Sequence, residues 1–305
     1  MAINKRFSDQ VDGGDFIVTA EFLPRAETDG TALKKAVESL KSVPSAVNVS
    51  DNPFSPVMSS LAASIYLLQA GLEPIYHVVT RDRNRIAIQS DLLGAAFLGI
   101  KNMLCLSGYH QALTDNPESA NVYDIDSTQL LGMIKKMREK GELLNGNKIS
   151  GPFSIITGAV ANPNLTPIEL NLLRLSQKVE AGATFIQTHA IFDVDKFRQW
   201  FEAAGSAGIL KKAVVLAGVF PLESAAEADE LRKKYTEFQI PENIVQIISS
   251  AGDSKSQKKA GREICVEIID KLKGIKGLRG IHILSGGKEE DVPEILKAAG
   301  LSAKN

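Results

Sequence analysis

Cysteine is nearly absent from this chain of 305 residues: Cys105 and Cys265 are its only two, with no CxxC spacing. That excludes a disulfide framework and leaves no ligand set for a zinc or iron-sulfur centre built by this chain alone, so no metal is expected. Both thiols fall in apolar, element-like stretches, where a buried reduced state is expected. Charge of one sign is also missing. The 35 Lys and Arg nearly balance 36 Asp and Glu, for a formal net charge of -1, which offers no global attraction for nucleic acid or an anionic membrane. No apolar run approaches the ~20 residues that a membrane helix needs. The first fifteen residues, with Lys5 and Arg6 among several acids, lack the apolar core of a secretion signal. A cytoplasmic protein acting on small molecules is the expectation. No GxGxxG follows a strand-like run, so a Rossmann dinucleotide unit has no support.

What the chain does have is eight short apolar runs that end in polar residues. They are FIVTAEF (16–22), SAVNVS (45–50), PIYHVV (74–79), NMLCLS (102–107), FSIITGAV (153–160), TFIQTH (184–189), AVVLAGV (213–219) and GIHILS (280–285). Nearly continuous apolar runs rich in Val and Ile suit strands covered on both faces. Between them, residues 87–98, 127–140 and 167–181 carry apolar side chains three and four apart, the spacing of amphipathic helices. Parallel strands need crossover connections, so the alternation predicts a (β/α)8 barrel. A doubly wound open sheet shares this periodicity, since periodicity does not show closure.

The length exceeds the roughly 250 residues typical of such barrels. With no linker, tandem repeat or low-complexity tract, a single domain over residues 1–305 is expected. The surplus falls mainly between strands seven and eight, where two helix-like segments (242–250 and 257–272) precede the last strand, and in the loop 108–126. Loops of that length are usually functional or disordered.

In a parallel barrel the C-terminal strand ends converge on one rim, where the chemistry is done. Glu21, Asp51, Arg81, Tyr109, Asn162, His189 and Ser285 all lie at or just beyond such ends. Glu21 stands among apolar neighbours, and desolvation raises a carboxyl pKa toward the range of a general acid; a salt-bridged strand-end acid is the bland alternative. His77 inside PIYHVV is either a satisfied core histidine or a ligand contact. Arg81-Asp82-Arg83-Asn84, at a loop and helix start, offers guanidinium groups and free backbone donors to a phosphate, or forms a solvated charge cluster. Ser285-Gly286-Gly287-Lys288 stands where many barrels bind phosphate, although Gly-Gly also simply makes a turn.

Longer blocks point further. AEFLPR (20–25), VNVSDN (47–52), RDRNRIAIQSDLLGAAFLGIKNMLCLSG (81–108), VYDIDSTQLL (122–131), QKVEAGATFIQTHAIFD (177–193), GVFPLESA (218–225) and VPEILKAAGL (292–301) resemble the methylenetetrahydrofolate reductases, especially reductase-like proteins of anaerobic and acetogenic bacteria. The resemblance implies an FAD-bearing barrel that reduces 5,10-methylenetetrahydrofolate to 5-methyltetrahydrofolate. Its flavin would be re-reduced by NAD(P)H or by a redox partner protein, and a homo-oligomer is compatible with it. Position by position, Glu21 matches the acid that protonates the folate, His77 a flavin-contacting histidine and Lys178 a lysine of the flavin site. Ser50 and Asp51 fall where the second-strand loop meets the cofactor.

The departures concern the same pocket. The family commonly carries Gly-Asp after strand four, whereas Gly108 is followed here by Tyr109, and Ser107 replaces an arginine. His189 stands for a substrate-facing glutamine, and Asn171 for an acid that serves the flavin. Losing the pterin-facing carboxylate removes a charge-assisted contact unless Asp115, Asp124 or Asp126 compensates, and Tyr109→Asp is expected to restore it. Tyr109 could also stack on a flavin or pterin ring. Two other readings follow from these changes: a folate-binding methyltransferase or demethylase component with an altered or lost flavin site, and a non-catalytic subunit that docks a redox partner.

Overall fold

The computed structural model describes residues 5–302. Its eight strands are β1 (Ile17–Phe22), β2 (Ala46–Val49), β3 (Pro74–Val79), β4 (Asn102–Leu106), β5 (Ile156–Ala161), β6 (Ala183–Ala190), β7 (Val214–Val219) and β8 (Gly280–Ile283). They pair in parallel and in sequence order, and β8 closes on β1 with Ala20 opposite Ile283. This closure settles the choice between barrel and open sheet. The helices are α1 (Phe7–Asp12), α2 (Gly30–Leu40), α3 (Ser60–Gln69), α4 (Arg85–Phe97), α5 (Ser127–Lys140), α6 (Ile168–Glu180), α7 (Val194–Ser206), α8 (Ala225–Lys234), α9 (Glu242–Ser250), α10 (Ser254–Lys273) and α11 (Val292–Ala298). None is long and apolar enough to cross a membrane, among the described residues.

Side chains alternate across each strand, and the alternation sorts the barrel into layers. Outward residues such as Val18, Ala20, Phe22, Val47 and Val49 pack beneath the helices. Inward residues stack in three tiers. The lowest is apolar, with Ile17, Ala46, Ile75, Leu104, Phe185 and Leu216 joined by Phe7 and Val11 of α1. Phe7 meets Phe185 edge-on with centroids 5.1 Å apart, so α1 stoppers the bottom of the barrel.

The middle tier is polar and closed on itself. Asn48 Nδ2 lies 2.8 Å from His77 Nε2 and 2.6 Å from Gln187 Oε1; Gln187 Nε2 donates to Thr19 Oγ1 at 3.1 Å, and Thr19 Oγ1 lies 2.9 Å from His282 Nδ1. Burial pushes the pKa of both imidazoles down to about 3, so the tier is neutral. The top tier differs in access to solvent. Glu21, Leu106, Val160 and His189 are only part-buried, which marks the C-terminal mouth.

Most strands are trimmed by one or two residues relative to the sequence reading, β8 ending at Ile283 instead of residue 285, and three departures are larger or of another kind. β5 begins at Ile156 instead of residue 153, because Phe153 and Ile155 pack outward with the α4 and α5 cluster. β6 starts one residue earlier and ends one residue later than expected, at Ala183 and Ala190. Between β7 and β8 lie α8, α9 and α10, three helices in place of the two expected. α8 escapes a periodicity test because it buries little beyond Ala228.

Candidate active site at the barrel mouth

Glu21 reaches the mouth because it sits at an inward position near the end of β1. Ser50, just past β2, donates its hydroxyl to Glu21 Oε1 at 2.6 Å. Burial raises the Glu21 pKa and the nearby Glu289 raises it further, while Ser50 and the backbone amides of Gly286 and Ser285 pull it down. The net shift is upward, so Glu21 keeps its proton to a higher pH than a free glutamate does. Glu289, whose pKa burial also raises, accepts the Leu23 amide at 2.9 Å and so ties the β1 loop to the β8 loop.

Against Tyr109 stands a group that sequence reasoning did not identify. Glu237, in the connection from α8 to α9, is 7% exposed and accepts the hydroxyl of Tyr109. Tyr109 stacks on Phe54 at 4.9 Å, and Phe54 meets Tyr235 at 4.9 Å. The aromatic run continues through Phe238 to Phe220 and Phe192. Burial, then Glu237, then Glu21 among others raise the Tyr109 pKa, so its phenol keeps its proton. His189 faces the same space: burial lowers its pKa and Lys178 adds to this, while Glu237 opposes. Tyr109 thus feels both Glu237 and Glu21, and His189 feels Glu237, which places the four side chains together at the barrel mouth. No motif announces Glu237, because only the folding of the α8 to α9 connection over the mouth brings it there.

The remaining expected residues lie close by, with most polar groups already engaged. Asp51 accepts the Val79 amide at 2.9 Å and pairs with Arg83, which also reaches Asp91 at 3.1 Å. His77 belongs to the tier beneath the mouth. Arg81 is 3% exposed; its guanidinium grips Asp82 at 2.7 and 2.9 Å, the Asn52 carbonyl at 2.7 Å and the Tyr109 carbonyl at 3.1 Å. It clamps the loops after β2, β3 and β4 together. Gly108 has φ +84, and a Cβ there would lie 2.6 Å from Val79 Cγ1, so the turn that presents Tyr109 requires glycine.

Asn171 on α6 donates to the carbonyls of Asn162 at 2.6 Å and Leu165 at 3.3 Å, tying down the loop after β5. Lys178 donates to the Val160 carbonyl at 2.9 Å, and burial lowers its pKa. Lys288 pairs with Glu223 and Glu227 instead of facing the mouth alone. The acids weighed as substitutes are also engaged: Asp115 with Ser55, Asp124 with Arg85, and Asp126 as the N-cap of α5.

The model of the methylenetetrahydrofolate reductase family matches residues 6–300. A probable methylenetetrahydrofolate reductase (NADPH) of Caenorhabditis elegans is 25% identical over 244 residues, 80% of this chain and 34% of the nematode protein. The 5,10-methylenetetrahydrofolate reductase of Salmonella typhimurium is 22% identical over 225 residues, 73% of this chain and 68% of that one. The chain thus spans about a third of the nematode relative's length and about two thirds of the bacterial one's. A solved protein of Clostridium thermocellum, which binds two copies of 5-methyl-5,6,7,8-tetrahydrofolic acid, superposes with TM-score 0.65 at 12% identity, over 96% of this chain and 98% of that one. This last likeness concerns the fold. With the family match extending over nearly all of the described residues, the chain belongs to the methylenetetrahydrofolate reductase family.

Proposed function

We propose that this chain is an oxidoreductase of the methylenetetrahydrofolate reductase type, which takes a reduced folate into the barrel mouth and converts 5,10-methylenetetrahydrofolate to 5-methyltetrahydrofolate. The observation that carries this reading is Glu21, a part-buried inward carboxyl at the barrel mouth, held by Ser50 and with its pKa raised by burial toward the range of a general acid. Protonation at N10 lets the bond from N10 to the bridging carbon break and leaves an iminium at N5. The iminium carbon then takes up a hydride and becomes the methyl group. Ser50 holds the carboxyl in place, and the neutral phenol of Tyr109 and imidazole of His189 add no charge that would compete for its proton. The folate binding of the Clostridium thermocellum protein, a barrel of the same fold, supports the choice of substrate.

The resemblance makes FAD the hydride source, with NAD(P)H or a partner protein behind it. The residues that line the mouth suit a flat ring, since they are aromatic, neutral or hydrogen-bonding. They do not suit a diphosphate, because Arg81 and Lys178 spend their donors on Asp82 and on backbone carbonyls. The test is single-turnover reduction of 5,10-methylenetetrahydrofolate, once with reduced FAD and once with a reduced flavoprotein donor. Formation of 5-methyltetrahydrofolate with either one is expected. If folate binds but is reduced with neither, the reading falls, and the folate-binding methyl-transfer component takes its place.

A further inference from the structure

We propose that Glu237 is the carboxylate that reads the adjacent N–H groups of the substrate's aminopyrimidinone ring, and that Tyr109 occupies it until the substrate arrives. The inference rests on the proposed folate reading and assigns the residue that sets ring specificity. Glu237 is buried, yet it forms no ion pair with any Lys or Arg among the described residues. Its side chain is mostly out of water, but neither oxygen is among the fully buried groups that lack a partner, so the oxygen Tyr109 leaves free is open to a donor that enters the mouth. The carboxylate has about four acceptor positions on two oxygens, and the Tyr109 hydroxyl is the one side-chain donor recorded for it, on Oε1. Its second oxygen receives no hydrogen bond from the described residues.

The surroundings define which donor completes the set. Phe54, Tyr109 and Tyr235 form stacked and tilted aromatic faces with 4.9 Å spacings, which favour a flat heterocycle. A 2-amino group beside a ring N–H presents two parallel donors at the spacing of a carboxylate's two oxygens, the same match that makes guanidinium and carboxylate pair bidentately. Glu21 couples electrostatically to Tyr109 and Glu237 to His189, so a ring held by Glu237 lies at the same barrel mouth as the Glu21 carboxyl. The segment that carries Glu237 is itself held from two sides, by Asn164 Nδ2 on the Glu237 carbonyl at 3.3 Å and by Lys196 on Gln239 at 2.7 Å. Its carboxylate is therefore placed before binding, and the phenol is the group that must yield.

The experiment measures equilibrium binding of 5-methyltetrahydrofolate, and of an analogue that lacks the 2-amino group, to the unaltered chain, to Glu237→Gln and to Tyr109→Phe. Glu237→Gln keeps an acceptor for the Tyr109 hydroxyl, so the segment should stay in place. Its affinity for 5-methyltetrahydrofolate should fall roughly 10- to 100-fold, the scale of a lost charge-assisted bond, whereas its affinity for the analogue should hardly change. Tyr109→Phe, which removes the competing donor, should bind 5-methyltetrahydrofolate more tightly. Equal losses for both ligands in Glu237→Gln, or no loss for either, would overturn the assignment. Failure of the unaltered chain to bind 5-methyltetrahydrofolate would overturn the folate reading itself, and this inference with it.

Discussion

Glu21 links the chemistry of the mouth to the stability of the barrel through a single proton. Its folded-state pKa lies above the ordinary 4.5 of a glutamate, with burial the largest cause, so the folded protein binds that proton more tightly than the unfolded chain does. The stabilisation is fully present below about pH 4.5 and is lost as pH rises through the raised folded value, where the ionised carboxyl opposes folding. Two outcomes follow for Glu21→Gln. Turnover of methylenetetrahydrofolate should slow by ~100-fold or more, the usual scale of a lost general acid, while folate binding persists. The variant should also resist urea better than the unaltered chain at pH 8, an advantage that shrinks toward pH 4. Unchanged single-turnover reduction would remove Glu21 from the chemical role, and an advantage constant across pH would remove its proton from the stability argument. Tyr109 changes its meaning in the same setting. A carboxylate already stands against it, on Glu237, so Tyr109→Asp brings two acids together and leaves the Glu237 oxygen without its donor. The gain expected from sequence turns into a loss of about 1–3 kcal/mol of stability, read as a lower urea midpoint, together with weaker folate binding.

Elements show where sequence pattern carries information and where it does not. Strands such as PIYHVV announce themselves because both faces are covered and every residue of β3 is buried. α1 gives no signal in the sequence although Phe7 and Val11 stand one helical turn apart, since six residues are too few for a periodicity test. α8 is silent for the opposite reason, having almost no buried face to give it a pattern. Of the mouth, the strand-end residues Glu21, Tyr109 and His189 were legible because parallel strands deliver their ends to one rim. Glu237 was not, because it lies in a connection whose course over the mouth is set by tertiary contacts with Asn164 and Lys196. One close approach between elements gives a sharp test. A Cβ at Gly158 of β5 would lie 2.2 Å from Phe185 Cε2 of β6, so the ring fills the space a side chain would take. Gly158→Ala should therefore cost about 1–3 kcal/mol, as overpacking does, and Phe185→Leu should recover part of that cost in the double variant. Strictly additive losses in melting experiments would place the strain elsewhere.

For the molecule as a whole, the distribution of cations decides what the mouth can hold. Arg81 is spent on Asp82 and two carbonyls, Arg83 on Asp51 and Asp91, Lys178 on the Val160 carbonyl, and Lys288 on Glu223 and Glu227. The same engagements tie together the loops after β2, β3 and β4, so releasing a guanidinium for a ligand phosphate would loosen the frame that presents Tyr109. A dinucleotide cofactor must bring two phosphates into this setting, whereas a reduced folate brings a neutral ring to the aromatic faces and keeps its own carboxylates on a tail. That tail can extend outward past exposed Lys234, whose ammonium lies 5.7 Å above the Phe54 ring at the rim. The expected order of affinities is therefore folate before FAD. Titration of the chain with 5-methyltetrahydrofolate, and separately with FAD followed by flavin fluorescence in the same buffer, should give a folate dissociation constant at least ~10-fold below that for FAD, a gap of about 1.4 kcal/mol. FAD binding tighter than folate would mean that Arg81 or Lys178 gives up its present partners, and Arg81→Ala would then weaken FAD and leave folate unchanged.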